Sequence, residues 1–101
     1  MSNIPASYLP PQFTPTVEFK DGSFIYAKAG FNSTSDELWI WLIEYMSFAN
    51  AVEIFSDNPS KTDHIRVNHS QSESEEFDNY THLISIQENA VGDLAIRLKR
   101  S

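Results

Sequence analysis

A chain of 101 residues has the length of one domain, long enough to enclose a real core. With 41% hydrophobic, 13% aromatic and 21% charged residues its composition is globular rather than disordered. Fourteen acidic against seven Lys and Arg residues give a net charge of −7, a field that opposes nucleic-acid phosphates and anionic lipid surfaces, and the lack of cysteine excludes disulfides, thiolate metal ligands and cysteine nucleophiles.

Residues 1–15 carry Pro5, Pro10, Pro11 and Pro15, and each proline holds the residue before it in extended geometry. An extended Pro-rich arm is predicted, with Ile4, Tyr8, Leu9 and Phe13 either lying along the domain's own surface or docking into an aromatic groove. The N-terminus lacks a basic segment followed by an apolar one, and the longest apolar run, Leu38 to Ile43, is too short to cross a bilayer. Neither a signal peptide nor a membrane association is expected, and a cysteine-free chain suits the reducing cytoplasm.

Thr16 to Lys20 and Ser23 to Lys28 alternate polar with apolar residues around Asp21-Gly22, a strong hairpin signal. A two-residue loop would pair Lys20 with Ser23, set Phe19 against Phe24 and Val17 against Tyr26, and place all four large side chains on one face. Next, Thr34 and Glu37 have capping-box spacing, and Leu38, Trp41, Leu42, Tyr45, Met46 and Ala49 recur at helical intervals. These predict a helix from Ser35 to Ala49, although periodicity alone leaves a buried strand open for the apolar run. Ala51 to Phe55 reads as a strand, Ser56 to Lys61 as a loop, Asp63 to Asn68 as a strand, and Asn68 to Glu76 as a mobile polar connection. The last hairpin pairs Thr81–Ile86 with Leu94–Leu98, and a three-residue loop at Asn89-Ala90-Val91 would set Ile86 against Leu94 and Ile84 against Ile96.

The expected fold is therefore α+β: a single domain over residues 16–101, in which a mainly antiparallel sheet of about six strands, in ββαββββ order, packs on one helix.

Chemistry is sparse along this chain. His64 and His69 fall on opposite faces of one strand, and His69 could approach His82 only if their strands were neighbours, so no metal site is expected. There is no G-x-S-x-G elbow, Gly22, Gly30 and Gly92 are too scattered for a phosphate loop, and Glu75-Glu76 lies in a solvated serine-rich run. No catalytic residue or cofactor is expected. The basic tail Arg97 to Arg100, with Arg66, reads as the solvent side of a strand, and nucleic acid is disfavoured. What stands out is the aromatic density around Trp39, Trp41, Tyr45 and Phe48. Trp39, Ile40 and Ile43 exceed what one helix can bury on a sheet and form the expected contact surface, while Glu73, Glu75, Glu76 and Asp78 would draw in a basic protein partner. The reading is a small noncatalytic interaction domain: an adaptor, inhibitor or immunity-like factor. One alternative is a small enzyme or a ligand- or metal-binding domain using scattered His and carboxylates; another is a structural subunit of a homodimer or larger assembly.

Overall fold

Glu37-Leu38-Trp39-Ile40-Trp41-Leu42 decides the architecture, and it is a strand. In the computed structural model, which describes residues 12–101, the elements run β1 (Thr16–Glu18), β2 (Phe24–Asn32), β3 (Glu37–Leu42), α1 (Phe48–Phe55), α2 (Pro59–Thr62), β4 (His64–Asn68), β5 (Ser74–Asp78), β6 (His82–Glu88) and β7 (Leu94–Lys99). The expected helix from Ser35 to Ala49 does not form. Leu38 and Ile40 point into the core and are fully buried, whereas Trp39 and Trp41 point out, so aliphatic and aromatic residues alternate at period two. The presumed capping box is a turn: the Asn32 side chain accepts the N–H groups of Thr34 and Ser35 at 3.0 and 3.4 Å, and Asp36 takes a positive φ of 55° before Glu37 opens β3.

Helix instead occupies the stretch expected to be the strand Ala51 to Phe55. Ser47 caps it, its Oγ accepting the Asn50 N–H at 3.1 Å, and Ala51 and Phe55, four apart, are its buried contacts. The Phe55 ring meets Phe19 edge-on at 5.7 Å.

The seven strands form one antiparallel sheet in the order β5-β4-β1-β2-β3-β7-β6. Strand β2 belongs to both halves: its beginning pairs with β1 and its end with β3. Phe31, near the end of β2, reaches Phe77 of β5 at 5.3 Å and Tyr80 at 5.9 Å, so the sheet curls over its own inner face. That face carries Val17, Ala27, Leu38, Ile40, Ile65, Val67, Ile96 and Leu98, all fully buried, with Ala51 and Phe55 of α1 joining the same core. The α+β class and the antiparallel sheet stand. Two short helices replace the single long one, and an extra strand, β5, comes from the stretch expected to be a mobile connection.

Both outer hairpins turn through three residues. Gly22, at a φ of 88°, closes Lys20-Asp21-Gly22, and its N–H donates to the Phe19 carbonyl at 2.9 Å. The Asp21 carboxylate fixes this turn by accepting the Ser23 N–H at 2.9 Å and the Lys61 ammonium at 2.7 Å; the Lys61 hydrogen bond first, then those from Ser23, hold its carboxyl well below the usual range. The loop is one residue longer than expected, so Val17 pairs with Ile25 rather than Tyr26, and Phe24 and Tyr26 turn to the face opposite Val17 and Phe19. In the β6–β7 hairpin the loop is Ala90-Val91-Gly92, one position later than expected. Sliding a loop by one residue moves the pairing by two, so Ile86 faces Ile96 instead of Leu94 but stays on the inner face, while Ile84 falls in an irregularity between Leu83 and Ser85.

Of the expected N-terminal arm, residues 1–11 lie outside the described residues. Pro15 accepts the Ala27 N–H at 3.1 Å, prolonging the pairing of β1 with β2. Among the described residues no helix is long and apolar enough to cross a membrane.

Candidate binding surface

Register alone assigns the outward side chains. Gly30, Trp39, Arg97 and Ser85 form one row across β2, β3, β7 and β6; Lys28, Trp41, Ala95 and Gln87 form the next. The Ile43 N–H donates to the Tyr26 carbonyl at 3.0 Å, which continues the β2–β3 ladder and brings Tyr26 and Ile43 into a third row. Phe24 and Tyr26 contact edge-on at 5.4 Å.

Trp39 anchors this face. Its ring stacks on Trp41 at 6.0 Å and lies under the Arg97 guanidinium at 4.8 Å, while Arg97 holds both Glu37 carboxylate oxygens at 3.0 Å. A Cβ on Gly30 would stand only 3.3 Å from the Trp41 ring, so glycine there lets the indole lean over β2. Beyond this anchored patch the apolar surface is open: Phe24 is 52% exposed, Trp41 44%, Ile43 46% and Tyr45 86%. The helices contribute to the inner face, and among the described residues no helix covers the aromatic rows.

The residues singled out from the sequence divide between several places. Trp39 and Ile43 are on this outer face, which is carried by a strand and not by the expected helix. Ile40 is excluded from it: paired between Ala29 and Ile96 on the inner side of β3, it is fully buried. Glu73, Glu75, Glu76 and Asp78 are not on a mobile loop. They belong to the edge strand β5 and the turn before it, separated from β3 in the sheet order by β4, β1 and β2. A row of carboxylates on an edge also discourages pairing with a foreign strand. Phe24 and Tyr26 were missed, because the shorter loop would have turned them inward.

The acidic edge engages the histidines. His64 Nδ1 lies 2.6 Å from Asp78 and Nε2 lies 2.8 Å from Glu76, while His69 Nε2 lies 2.7 Å from Glu75. His69 and His82 do not meet, since β4 and β6 are on opposite sides of the sheet's centre. The Asp78 hydrogen bond first, then that of Glu76, raises the His64 pKa above its ordinary 6.5. A raised pKa stabilises the fold fully below the ordinary value, and the contribution disappears as pH climbs through the folded one. The advantage of the native chain over His64→Gln in urea unfolding is therefore expected to shrink as pH rises from the ordinary 6.5 through the raised folded value. Both carboxylates are more than half exposed, so the whole effect stays under about 1 kcal/mol.

A groove of about 500 Å³ borders the aromatic rows, lined by Trp41, Leu42, Ile43, Gln87, Glu88, Asn89, Asp93, Leu94 and Ala95. A separate cleft of about 410 Å³ holds Ser56, Asp57, Thr81, His82, Leu83 and Ser101. Its serine, histidine and aspartate side chains make no hydrogen bonds with one another, so they form no relay for nucleophilic attack. Among the described residues no group of three or more His, Asp or Glu is arranged to hold a metal ion. Compared with protein-family models, with curated proteins and with solved structures, the chain matches none.

Proposed function

We propose that this chain is a noncatalytic interaction domain that docks a basic protein partner against the outer face of β2 and β3, acting as an adaptor or inhibitor. The observation that carries the reading is the exposure of Phe24, Trp41 and Ile43 on a sheet face that the helices leave bare, with exposed Tyr45 following shortly after β3. Exposed aromatic clusters of this kind are what interface centres are made of, and their burial is the main favourable contribution to association. The net charge of −7 supplies the other half of the argument, favouring a cationic partner and accelerating its approach.

The two features have different kinetic roles. The acidic residues sit on the edge strand β5 and the aromatic rows on β2 and β3, so the acidic edge steers the partner, whereas the aromatic face holds it. Affinity capture from the native host with the intact chain and with a Phe24→Ser/Tyr45→Ser variant provides the test, since both replaced side chains are exposed and the variant keeps its core. The expected result is a basic protein recovered by the native chain and lost by the variant. Neutralising Glu73, Glu75, Glu76 and Asp78 should slow association with that protein and flatten its salt dependence while leaving dissociation unchanged. Equal recovery by the native chain and the variant, or an acidic captured protein, overturns the reading.

A further inference from the structure

The acidic edge carries a counter-charge of its own, and that charge depends on a proton. Ile65 and Val67 of β4 are fully buried, so His64 and Arg66, which alternate with them, turn outward, level with Asp78 and Glu76 of β5. The His64 ring sits between the two carboxylates, its Nδ1 at 2.6 Å from Asp78 and its Nε2 at 2.8 Å from Glu76. A neutral imidazole has one N–H and one lone pair, whereas the imidazolium has two N–H groups. Only the charged ring can donate to both carboxylates at once. When the proton leaves, one nitrogen turns a lone pair towards a carboxylate oxygen, and that contact has to open.

The other charged groups around the ring have places of their own. Arg66 stands opposite Glu76 in the register and reaches the Ser74 hydroxyl at 3.5 Å. Glu18 of β1 is level with Arg66 and accepts the Asn68 side-chain amide at 2.8 Å. Asp63, which precedes His64, pairs with Lys20 at 3.5 Å. His64 is therefore the one group in contact with both Glu76 and Asp78 among the described residues.

We infer that His64 is a proton gate on the acidic edge: charged, it holds Glu76 and Asp78 together; neutral, it keeps one of them and leaves the other carboxylate free to attract a basic partner. This inference rests on the steering role given to β5 above and adds its regulation. Approach of the partner is then faster on the alkaline side of the His64 titration than on the acid side.

The test is an NMR titration of the native protein and of His64→Gln between about pH 5.5 and about pH 8.5, with and without N-acetylated hexalysine, a probe whose charge stays constant over that range. The His64 side chain lies on the outer side of β4, so the variant keeps the core, and its His69–Glu75 contact stays in place. In the native protein the side-chain carboxyl carbons of Glu76 and Asp78 are expected to shift with the midpoint of the His64 ring, a step that the variant lacks. Across that midpoint the affinity of the β5 edge for hexalysine is expected to rise by about two- to threefold more in the native protein than in the variant. Absence of the carboxyl step, or the same pH dependence of hexalysine binding in both proteins, overturns the gate. The two ideas separate in the same data. If hexalysine shifts the β5 amides of both proteins with equal pH dependence, steering stands and the gate falls; if it shifts no β5 amide at any pH, steering falls and takes the gate with it. Docking on the aromatic face is decided independently, by capture with Phe24→Ser/Tyr45→Ser.

Discussion

Ile40→Ala is expected to destabilise the protein by about 2–5 kcal/mol, and Ile43→Ala by no more than about 0.5 kcal/mol, in urea or thermal unfolding. The contrast follows from the strand. Ile40 is fully buried between Ala29 and Ile96, whereas Ile43 is 46% exposed on the opposite face. In a helix the two residues, three apart, would share a face and respond alike. The deletion at Ile40 also leaves a cavity, because its neighbours on β2 and β7 are fixed by ladders and cannot collapse into the space. Measured against a typical stability of about 5–15 kcal/mol, the loss is large enough to lower the melting temperature by many degrees. Comparable losses from both substitutions would mean that the chain from Glu37 to Leu42 is not the central strand described here.

The second large effect belongs to α1. Phe55→Ala is expected to remove about 3–5 kcal/mol, because a fully buried ring is lost together with its edge contact to Phe19. Val52→Ala, on the more open side of the same helix, is expected to stay within about 0.5 kcal/mol. Chemical denaturation of the two variants side by side makes the comparison. It distinguishes a helix buried at Ala51 and Phe55 from a strand in which Val52 and Ile54 would be the inward pair. A loss concentrated at Val52 would overturn the helix.

Turn chemistry was the most readable feature of the sequence, because it is local. Asp21-Gly22 gave a hairpin and Gly92 lies within a second one, and both exist. The register of the first could not be read, since a glycine can end a two-residue or a three-residue loop, and the contact that holds the observed turn, Lys61 of α2 on Asp21, comes from far along the chain. That single residue of loop length decided whether Phe24 and Tyr26 belonged to the core or to the surface. The Leu38–Ile43 run concealed its period for a different reason. Alternation becomes visible when one face is polar, and here the outward residues are tryptophans whose surroundings, Arg97 and Gly30, come from other strands. The surplus of apolar side chains did point to apolar surface left uncovered, and Trp39 and Ile43 lie on the outer side of β3 while Ile40 lies in the core. Strand β5 was hidden by its low apolar content, its cross-strand partners being charged and polar: Arg66 with Glu76, and His64 with Asp78.

The pairing of β3 between β2 and β7 has a consequence for biosynthesis. Residues 37–42 leave the ribosome long before residues 94–99, so in the growing polypeptide one edge of the Leu-Trp-Ile-Trp-Leu segment has no native neighbour until almost the entire domain has been translated. An apolar, β-prone stretch with an unpaired edge is the kind of segment that seeds aggregation and attracts holdase chaperones. The interval in which residues 43–99 are synthesised is therefore the one in which slowed translation or a chaperone is expected to alter the yield of native protein.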